Sequence, residues 1–151
     1  MLFPELDEKK TKANVNKLLS NYENIRRLAS TLVENEQKLT STLTFEPKDF
    51  SSNRESPIAM GVQVKMDAYI ILKHIDDALD KLDMNNKKRL TDHYIFNKRE
   101  YNPTKILYDI NFESADTYYR KLKYAQLAFA EIYHNGELME FVKSEGYRNN
   151  V

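Results

Sequence analysis

The side chains of this sequence that could do chemistry are mainly basic, and they concentrate between residues 84 and 124. This segment carries nine Lys and Arg against five Asp and Glu, a net charge of +4, although the whole chain is neutral with 23 residues of each sign. The segments on either side, 1–83 and 125–151, each have a net charge of −2. A local excess of positive charge favours a local anionic partner, which the zero total alone would not indicate.

The side chains around Arg120 are of the types that recognise the edges of DNA bases. Arginine donates two hydrogen bonds to guanine, threonine and tyrosine can donate to a base or a phosphate, and the alanine methyl can contact thymine. The residues exposed in the first turns of a helix that begins at Ser114 are therefore predicted to read bases. They are Ser114, Ala115, Asp116, Thr117, Tyr119, Arg120, Lys121 and Lys123.

The other basic residues of the segment suit contacts with phosphate groups, which orient a protein on DNA without specifying the sequence. They are Lys87, Lys88, Arg89, Lys98, Arg99 and Lys105. The first three fall in the first turn of a helix that Asn85 and Asn86 are predicted to cap. Positive charge at that end opposes the helix macrodipole, a cost that a nearby phosphate would offset.

The apolar residues that must position these side chains recur at spacings of three and four, which predicts an all-α protein. One long helix is expected from about Asp7, its N-cap, to about Leu39, a second long helix from about Ile58, and a last short helix over 137–143. Residues 40–57 are rich in Ser, Thr and Pro and are expected to form a linker or loop. The predicted organisation is an N-terminal helical region over 1–39, this linker, and a helical DNA-binding domain over 58–151.

A helix-turn-helix is predicted at about 103–134, within the basic segment and just beyond it. Its first helix, Pro103–Ile110, ends at Asn111, a residue type that tolerates the left-handed conformation. After the turn Asn111–Glu113, the second helix begins at Ser114. In such a unit the second helix lies in the major groove of DNA. The side chains that this helix turns inward are predicted to be Tyr118, Leu122, Ala125, Phe129 and Ile132.

The sequence offers little for catalysis or metal binding. It has no Cys, which excludes thiolate metal sites and cysteine nucleophiles, and only three Gly, which leave little room for a phosphate-binding loop. Its three His include no pair at i and i+4. No enzymatic activity, catalytic residue, metal ion or cofactor is therefore expected. Because no apolar run approaches the ~18 residues of a membrane span and the N-terminus is not a signal peptide, an intracellular protein without membrane contact is expected.

The sharpest family signal lies in the helix that begins at Ser114. It reads Ser-Ala-Asp-Thr-Tyr-Tyr-Arg-Lys-Leu-Lys-Tyr-Ala-Gln-Leu-Ala-Phe-Ala-Glu-Ile-Tyr and is followed by Gly136-Glu137-Leu138. Together with the opening Leu2-Phe-Pro-Glu-Leu-Asp-Glu-Lys-Lys-Thr, this run resembles the ArpU family of phage transcriptional regulators, and the order of parts is similar over almost the whole chain. The resemblance implies a helix-turn-helix similar to region 4 of bacterial sigma factors, with its recognition segment at 114–123.

The resemblance also implies a role in transcription. Such proteins control late genes of phages and prophages, those for packaging, structural proteins or lysis, in the cytoplasm of a bacterial host and at its nucleoid. The main prediction is therefore a sequence-specific regulator, an activator, that binds double-stranded DNA. Its N-terminal helices are predicted to contact the host RNA polymerase or a second copy of the chain in a homodimer.

Two alternatives stay open at this point. The small subunit of a phage terminase also binds DNA through a helix-turn-helix, and a ring-shaped oligomer would favour it. A helical protein-interaction module without any nucleic-acid role would explain the basic segment as the solvated face of its helices.

Overall fold

The computed structural model describes residues 3–34, 57–96, 107, 109 and 111–143. Within those residues the protein is all-α, as the spacing predicts, with five α-helices and no β-strand. The helices are α1 (Glu8–Leu19), α2 (Tyr22–Glu34), α3 (Pro57–Lys81), α4 (Met84–Thr91) and α5 (Ala115–Ile132).

The chain divides into two compact units. Unit 1 comprises Met1–Ser20 and Asp77–Val151, and unit 2 comprises Asn21–Asp76. Apart from Pro57, the linker predicted at 40–57 lies outside the described residues. The predicted division into 1–39, 40–57 and 58–151 therefore stays a prediction.

The first predicted helix is divided in two, so the prediction of one continuous helix is wrong. It begins as expected, because the Asp7 side chain caps α1 by accepting a hydrogen bond from a backbone amide in the first turn at 3.1 Å. The helix ends at Leu19, and Ser20 and Asn21 separate it from α2. Serine and asparagine side chains bond readily to nearby backbone groups and so compete with helix formation. Residues 35–39 of the predicted helix lie outside the described part of the chain.

Unit 1 is built from α1, α4 and α5, and its core lies where α5 packs against the other two helices. The predicted inward stripe of α5 is confirmed, because four of its five residues are buried and Ile132 is half-buried. A chain of hydrogen bonds crosses this core: Gln126 Nε2 donates to Tyr94 Oη at 2.6 Å, and Tyr94 Oη donates to Asn16 Oδ1 at 3.0 Å. A buried polar link of this kind favours one packing arrangement over others, because a shifted helix would leave its members unpaired.

Helix α4 begins earlier than predicted, and a different residue caps it. Asp83 takes the N-cap position, and its carboxylate accepts a hydrogen bond from the Asn86 amide at 3.4 Å. The prediction that Asn85–Asn86 caps the helix is therefore wrong. Aspartate is as good an N-cap as asparagine, and its negative charge suits the helix N-terminus. As a result Lys88 and Arg89 lie in the last turn, where the macrodipole favours positive charge, and the cost predicted for them does not arise.

One π-helical turn, Asp92–Phe96, continues α4 and brings His93 against α5. His93 Nδ1 lies 2.7 Å from Tyr118 Oη. Burial lowers the pKa of His93 and raises the pKa of Tyr118. Both side chains are therefore uncharged at neutral pH, and the hydrogen bond between them joins the two elements.

The two ends of the described part of unit 1 are paired with each other. A single antiparallel β-bridge joins Leu6 to Phe141, and backbone hydrogen bonds of 2.8 Å lie on either side of it. The predicted short helix over 137–143 is therefore wrong, because the backbone of its second half bonds to the N-terminal segment instead of to itself.

Thr11 ties α1 to this pairing, and replacing it by valine should lower the free energy of unfolding by about 1 kcal/mol. The fully buried Thr11 hydroxyl accepts a hydrogen bond from the Glu140 amide at 3.0 Å. Valine fills nearly the same volume but leaves that amide without its partner, and a lost hydrogen bond costs about 0.5–1.5 kcal/mol. Urea unfolding measures the loss.

Thr31→Val is the matched control for this substitution. The Thr31 hydroxyl donates to a carbonyl of its own helix, α2, at 2.8 Å. Its replacement should change the free energy of unfolding by less than about 0.5 kcal/mol. Equal losses in the two variants would contradict a specific role for Thr11.

Unit 2 contains α2 and the part of α3 that ends at Asp76. Ala29, Ala68 and Ile75 are buried in it. Tyr22 Oη donates to Asp76 Oδ1 at 3.3 Å, and burial together with the charge of that carboxylate raises the pKa of Tyr22. The second long helix predicted from the sequence is confirmed by α3. None of the helices in the described ranges is long and apolar enough to cross a membrane.

Candidate nucleic-acid interface

The turn before α5 sets the point at which this helix begins. Leu107 and Asp109 are helical, and the other residues of the predicted helix Pro103–Ile110 lie outside the described part of the chain. Asn111 stays with that helical segment, because its amide and its side-chain Nδ2 both donate to the Leu107 carbonyl, at 3.1 and 2.8 Å. The chain reverses one residue later, where Phe112 has a φ of 57°. The prediction that Asn111 takes the left-handed conformation is therefore wrong.

Ser114 caps α5 as predicted, and replacing it by alanine should lower the free energy of unfolding by about 1 kcal/mol. The backbone of Ser114 is extended, and its hydroxyl accepts a hydrogen bond from the Thr117 amide at 3.2 Å. Alanine removes this acceptor, and chemical denaturation measures the effect. Ser114→Asp restores an acceptor and should recover most of the loss. An aspartate variant as unstable as the alanine variant would argue against a capping role.

Helix α5 presents one stripe of exposed side chains on its outer face. Asp116, Arg120 and Tyr124 follow each other at intervals of four residues, so they lie on the same side of the helix, and all three are exposed. Within the residues that the structure describes, no carboxylate forms an ion pair with Arg120. Its positive charge is therefore not neutralised by any carboxylate in that part of the chain.

Glu113, just before α5, joins two of the residues predicted to contact DNA. Its carboxylate accepts two hydrogen bonds from Arg89 of α4, at 2.9 and 3.3 Å, and pairs with Lys121 of α5 at 2.9 Å. The Glu113 side chain is 7% exposed, that of Arg89 16% and that of Lys121 50%. The Arg89 guanidinium also lies 5.4 Å from the centre of the Tyr118 ring. Arg89 thus holds α4 against α5, whereas Lys121 keeps half of its surface open.

The two cations outweigh the effect of burial on Glu113. Desolvation alone raises the pKa of a carboxyl group, whereas the hydrogen bonds and charges of Arg89 and Lys121 lower it. The net effect holds the pKa of Glu113 below its ordinary value. The carboxylate is therefore ionised at neutral pH, and the cluster of Arg89, Glu113 and Lys121 carries one net positive charge.

Three further residues predicted to contact DNA form ion pairs at the surface. Exposed pairs of this kind contribute about 0–1 kcal/mol, so a DNA phosphate can take the place of the carboxylate at little cost. The pairs are Lys87–Asp80 at 3.0 Å, Lys88–Asp92 at 3.0 Å and Lys123–Glu8 at 3.2 Å.

A cleft of about 380 Å³ lies between α4, the turn and α5. Asparagine amides and basic side chains supply most of its polar lining, and its one acidic lining residue, Asp92, is paired with Lys88. The excess of positive charge among these lining residues fits an anionic group such as a phosphate. The lining residues are Asn85, Asn86, Lys88, Arg89, Asp92, Asn111, Lys121 and Tyr124.

Most of the residues predicted to read bases lie together on the N-terminal half of α5. Ala115, Asp116, Tyr119 and Arg120 are exposed, and Thr117 is half-buried beside Ser114. Three of the residues predicted to contact phosphate lie outside the described residues. These are Lys98, Arg99 and Lys105.

Sequence reasoning missed two residues of this surface. Tyr124 is 60% exposed and lies one helical turn beyond Arg120, so its spacing could have revealed it. Glu113 offered no such signal, because its main partner, Arg89, is 24 residues away in the sequence. In the ranges that the structure describes, no three His, Asp or Glu side chains come together as a possible metal site.

Comparison with known proteins identifies the family. A protein of Streptococcus phage O1205 is 34% identical to this chain over 140 residues, which cover 92% of the chain and 98% of the relative. The relative bears the name of a candidate autolysin regulatory protein, ArpU. The chain belongs to the ArpU family. No family model and no solved structure matches it.

Membership of the ArpU family applies to the chain as a whole. Because the alignment with the ArpU relative spans 92% of the chain, it includes parts of both compact units as well as α5. The family resemblance predicted from the sequence is thereby confirmed. The similarity of the C-terminal helices to region 4 of sigma factors stays a prediction.

Proposed function

We propose that this ArpU-family protein is a sequence-specific DNA-binding regulator of transcription, an activator of phage late genes that include the genes for lysis. The observation that carries the proposal is the exposed stripe on α5, where Arg120 is not paired with any carboxylate of the described residues. The name of the Streptococcus phage relative refers to regulation of an autolysin, which supports lysis genes as targets. The role is regulatory and involves no catalysis.

Two sets of residues in the proposed interface have different roles, one in reading bases and the other in contacting phosphates. The N-terminal half of α5, with Arg120 at its centre, enters the major groove and reads base edges. Lys87 and Lys88 contact phosphates, because their surface ion pairs are easily exchanged. Lys123, which is predicted from the sequence to read bases, forms a surface ion pair of the same kind and is placed with them here. Lys121 contributes its positive charge to the cleft. Arg89 is a positioning residue, because it holds α4 against α5 through its bond to Glu113.

Unit 2 has a separate role in this proposal. Its helices, α2 and α3, contact the host RNA polymerase or a second copy of the chain. Two copies would bind a tandem or palindromic operator, with half-sites spaced by about one or more turns of the duplex.

A binding titration tests the proposal. Fluorescently labelled duplexes from upstream regions of the protein's own replicon are compared with scrambled duplexes of the same composition, at about 150 mM salt. The preferred duplex should bind about 10³-fold or more tightly than the scrambled ones, and affinity should fall as salt rises. If no upstream fragment binds better than scrambled DNA, the proposal is overturned. A stable protein partner without any DNA binding would then favour an interaction module.

A further inference from the structure

Phe112 combines two features that are unusual for a bulky apolar residue. Its side chain is 96% exposed, the highest value for any large apolar residue in the described ranges. Its φ of 57° lies in the left-handed region, which glycine and asparagine adopt far more readily than a residue with a bulky side chain. Residues held in sparsely populated backbone conformations cluster at active sites, ligand-binding segments and switch regions. The two features therefore indicate that Phe112 serves a ligand.

The position of Phe112 indicates which ligand this is. Phe112 precedes the cap of α5, Ser114, by two residues, and Asn111 beside it lines the basic cleft with Lys88 and Lys121. The first turns of a recognition helix face base edges, so the residue just before that helix lies beside the groove. The positive surroundings favour the anionic duplex over an apolar groove on another protein.

We propose that Phe112 is a specificity-determining residue that lays its ring against an apolar group of bound double-stranded DNA. Two such groups are accessible in the groove, the 5-methyl group of thymine and the carbon face of a deoxyribose. Phenylalanine is among the residues that contact the thymine methyl. The proposal rests on the proposed DNA-binding function and adds to it a contact that hydrogen bonding cannot supply.

The test uses the full-length Phe112→Asn variant and two measurements on it. Asparagine adopts the left-handed conformation more readily than phenylalanine, so the midpoint of thermal unfolding should rise. Affinity for the preferred duplex should nevertheless fall about three- to tenfold, because the apolar contact is lost. Phe112→Tyr keeps the ring and should keep most of the affinity. Phe3→Asn, at another exposed phenylalanine of unit 1, is the matched control and should bind as the unsubstituted chain does.

A second set of duplexes distinguishes the two apolar groups. Replacing each thymine of the preferred duplex by deoxyuridine removes only the 5-methyl groups. If Phe112 contacts a methyl, the unsubstituted protein loses affinity for one of these duplexes and the Phe112→Asn variant does not. If Phe112 contacts a deoxyribose, the variant is weaker by the same factor on all of them. Either pattern supports the contact with DNA.

Other results would overturn the proposed contact between Phe112 and DNA. A Phe112→Asn variant that binds every duplex as tightly as the unsubstituted protein rejects the contact, while the proposed function stands. If that variant also loses activation of a reporter gene, Phe112 contacts the transcription machinery instead. If the unsubstituted protein itself prefers no duplex, both the contact and the proposed function fail.

Discussion

Alanine in place of Arg120 is expected to weaken binding to the preferred duplex by about 1–3 kcal/mol and to reduce the preference for that duplex over others. Arg120 lies at the centre of the exposed stripe on α5 and has no carboxylate partner among the described residues. Its guanidinium can therefore donate two hydrogen bonds to a guanine without first breaking an ion pair with any carboxylate of those residues. Binding titrations on the preferred duplex and on single-base variants of it measure both effects.

Lys88→Ala is the control that separates base reading from phosphate contact. Lys88 is exposed, and among the described residues its ion-pair partner is Asp92, at 3.0 Å. Its loss should weaken all duplexes alike and reduce the slope of log affinity against log salt by about one. Arg120→Lys keeps the charge but not the two parallel donors, so it should resemble the alanine variant in specificity. If Arg120→Ala and Lys88→Ala behave alike, the proposed division of work is wrong.

Glutamine in place of Glu113 is expected to lower the free energy of unfolding by about 2–3 kcal/mol at neutral pH. The substitution leaves Arg89, whose side chain is only 16% exposed, without the carboxylate that neutralises it. Removing one partner of a fully buried ion pair costs about 3–5 kcal/mol, and the half-exposed Lys121 reduces the expected loss here. Urea unfolding of the two proteins measures the difference.

Asp80→Asn is the matched control for Glu113→Gln. It also removes the charge of a carboxylate that pairs with a lysine at 3.0 Å, but both partners are exposed. Its effect on the free energy of unfolding should stay within about 0.5 kcal/mol. Equal losses in the two variants would mean that burial of Glu113 contributes nothing.

The stabilisation from Glu113 should disappear in acid. Its pKa in the folded protein lies below the ordinary value of 4.5, so the unfolded chain takes up the proton first as the pH falls. The stabilisation is therefore fully present above pH 4.5 and is lost as the pH falls through the folded pKa. Burial lowers the pKa of His93, which destabilises the folded protein in acid as well, so only the difference from Glu113→Gln isolates Glu113. A difference that stays constant down to low pH would contradict the assignment.

The long helix α3 and the inward stripe of α5 were predictable because both depend on residues three and four apart. The caps Asp7 and Ser114 follow from the same local rules, since a side-chain oxygen bonds an amide three residues further on. Predictions were wrong where more than one neighbouring residue could take the same local role, such as a cap or the left-handed position of a turn. Asn111 and Phe112 both lie in the turn, and Asn111 is the better left-handed residue, but its side chain is held by the Leu107 carbonyl.

The candidate site was predictable in its location but not in its electrostatics. Charge counts place the positive excess in one segment of the chain, and periodicity identifies which side chains of α5 face outward. Neither gives the distances between residues far apart in the sequence. Glu113 meets Arg89 across 24 positions, and Lys123 meets Glu8 across most of the chain.

Composition and local spacing are thus enough to establish an all-α chain, the amphipathic pattern of α5 and the basic character of its surroundings. In the folded protein the basic residues then differ in which side chains they contact. Arg89 becomes part of the packing between α4 and α5, Lys121 is held at the edge of a cleft, and Arg120 faces outward from α5. The physical reason is that helix periodicity arises between near neighbours, whereas an ion pair depends on which distant carboxylate the packed chain brings within reach.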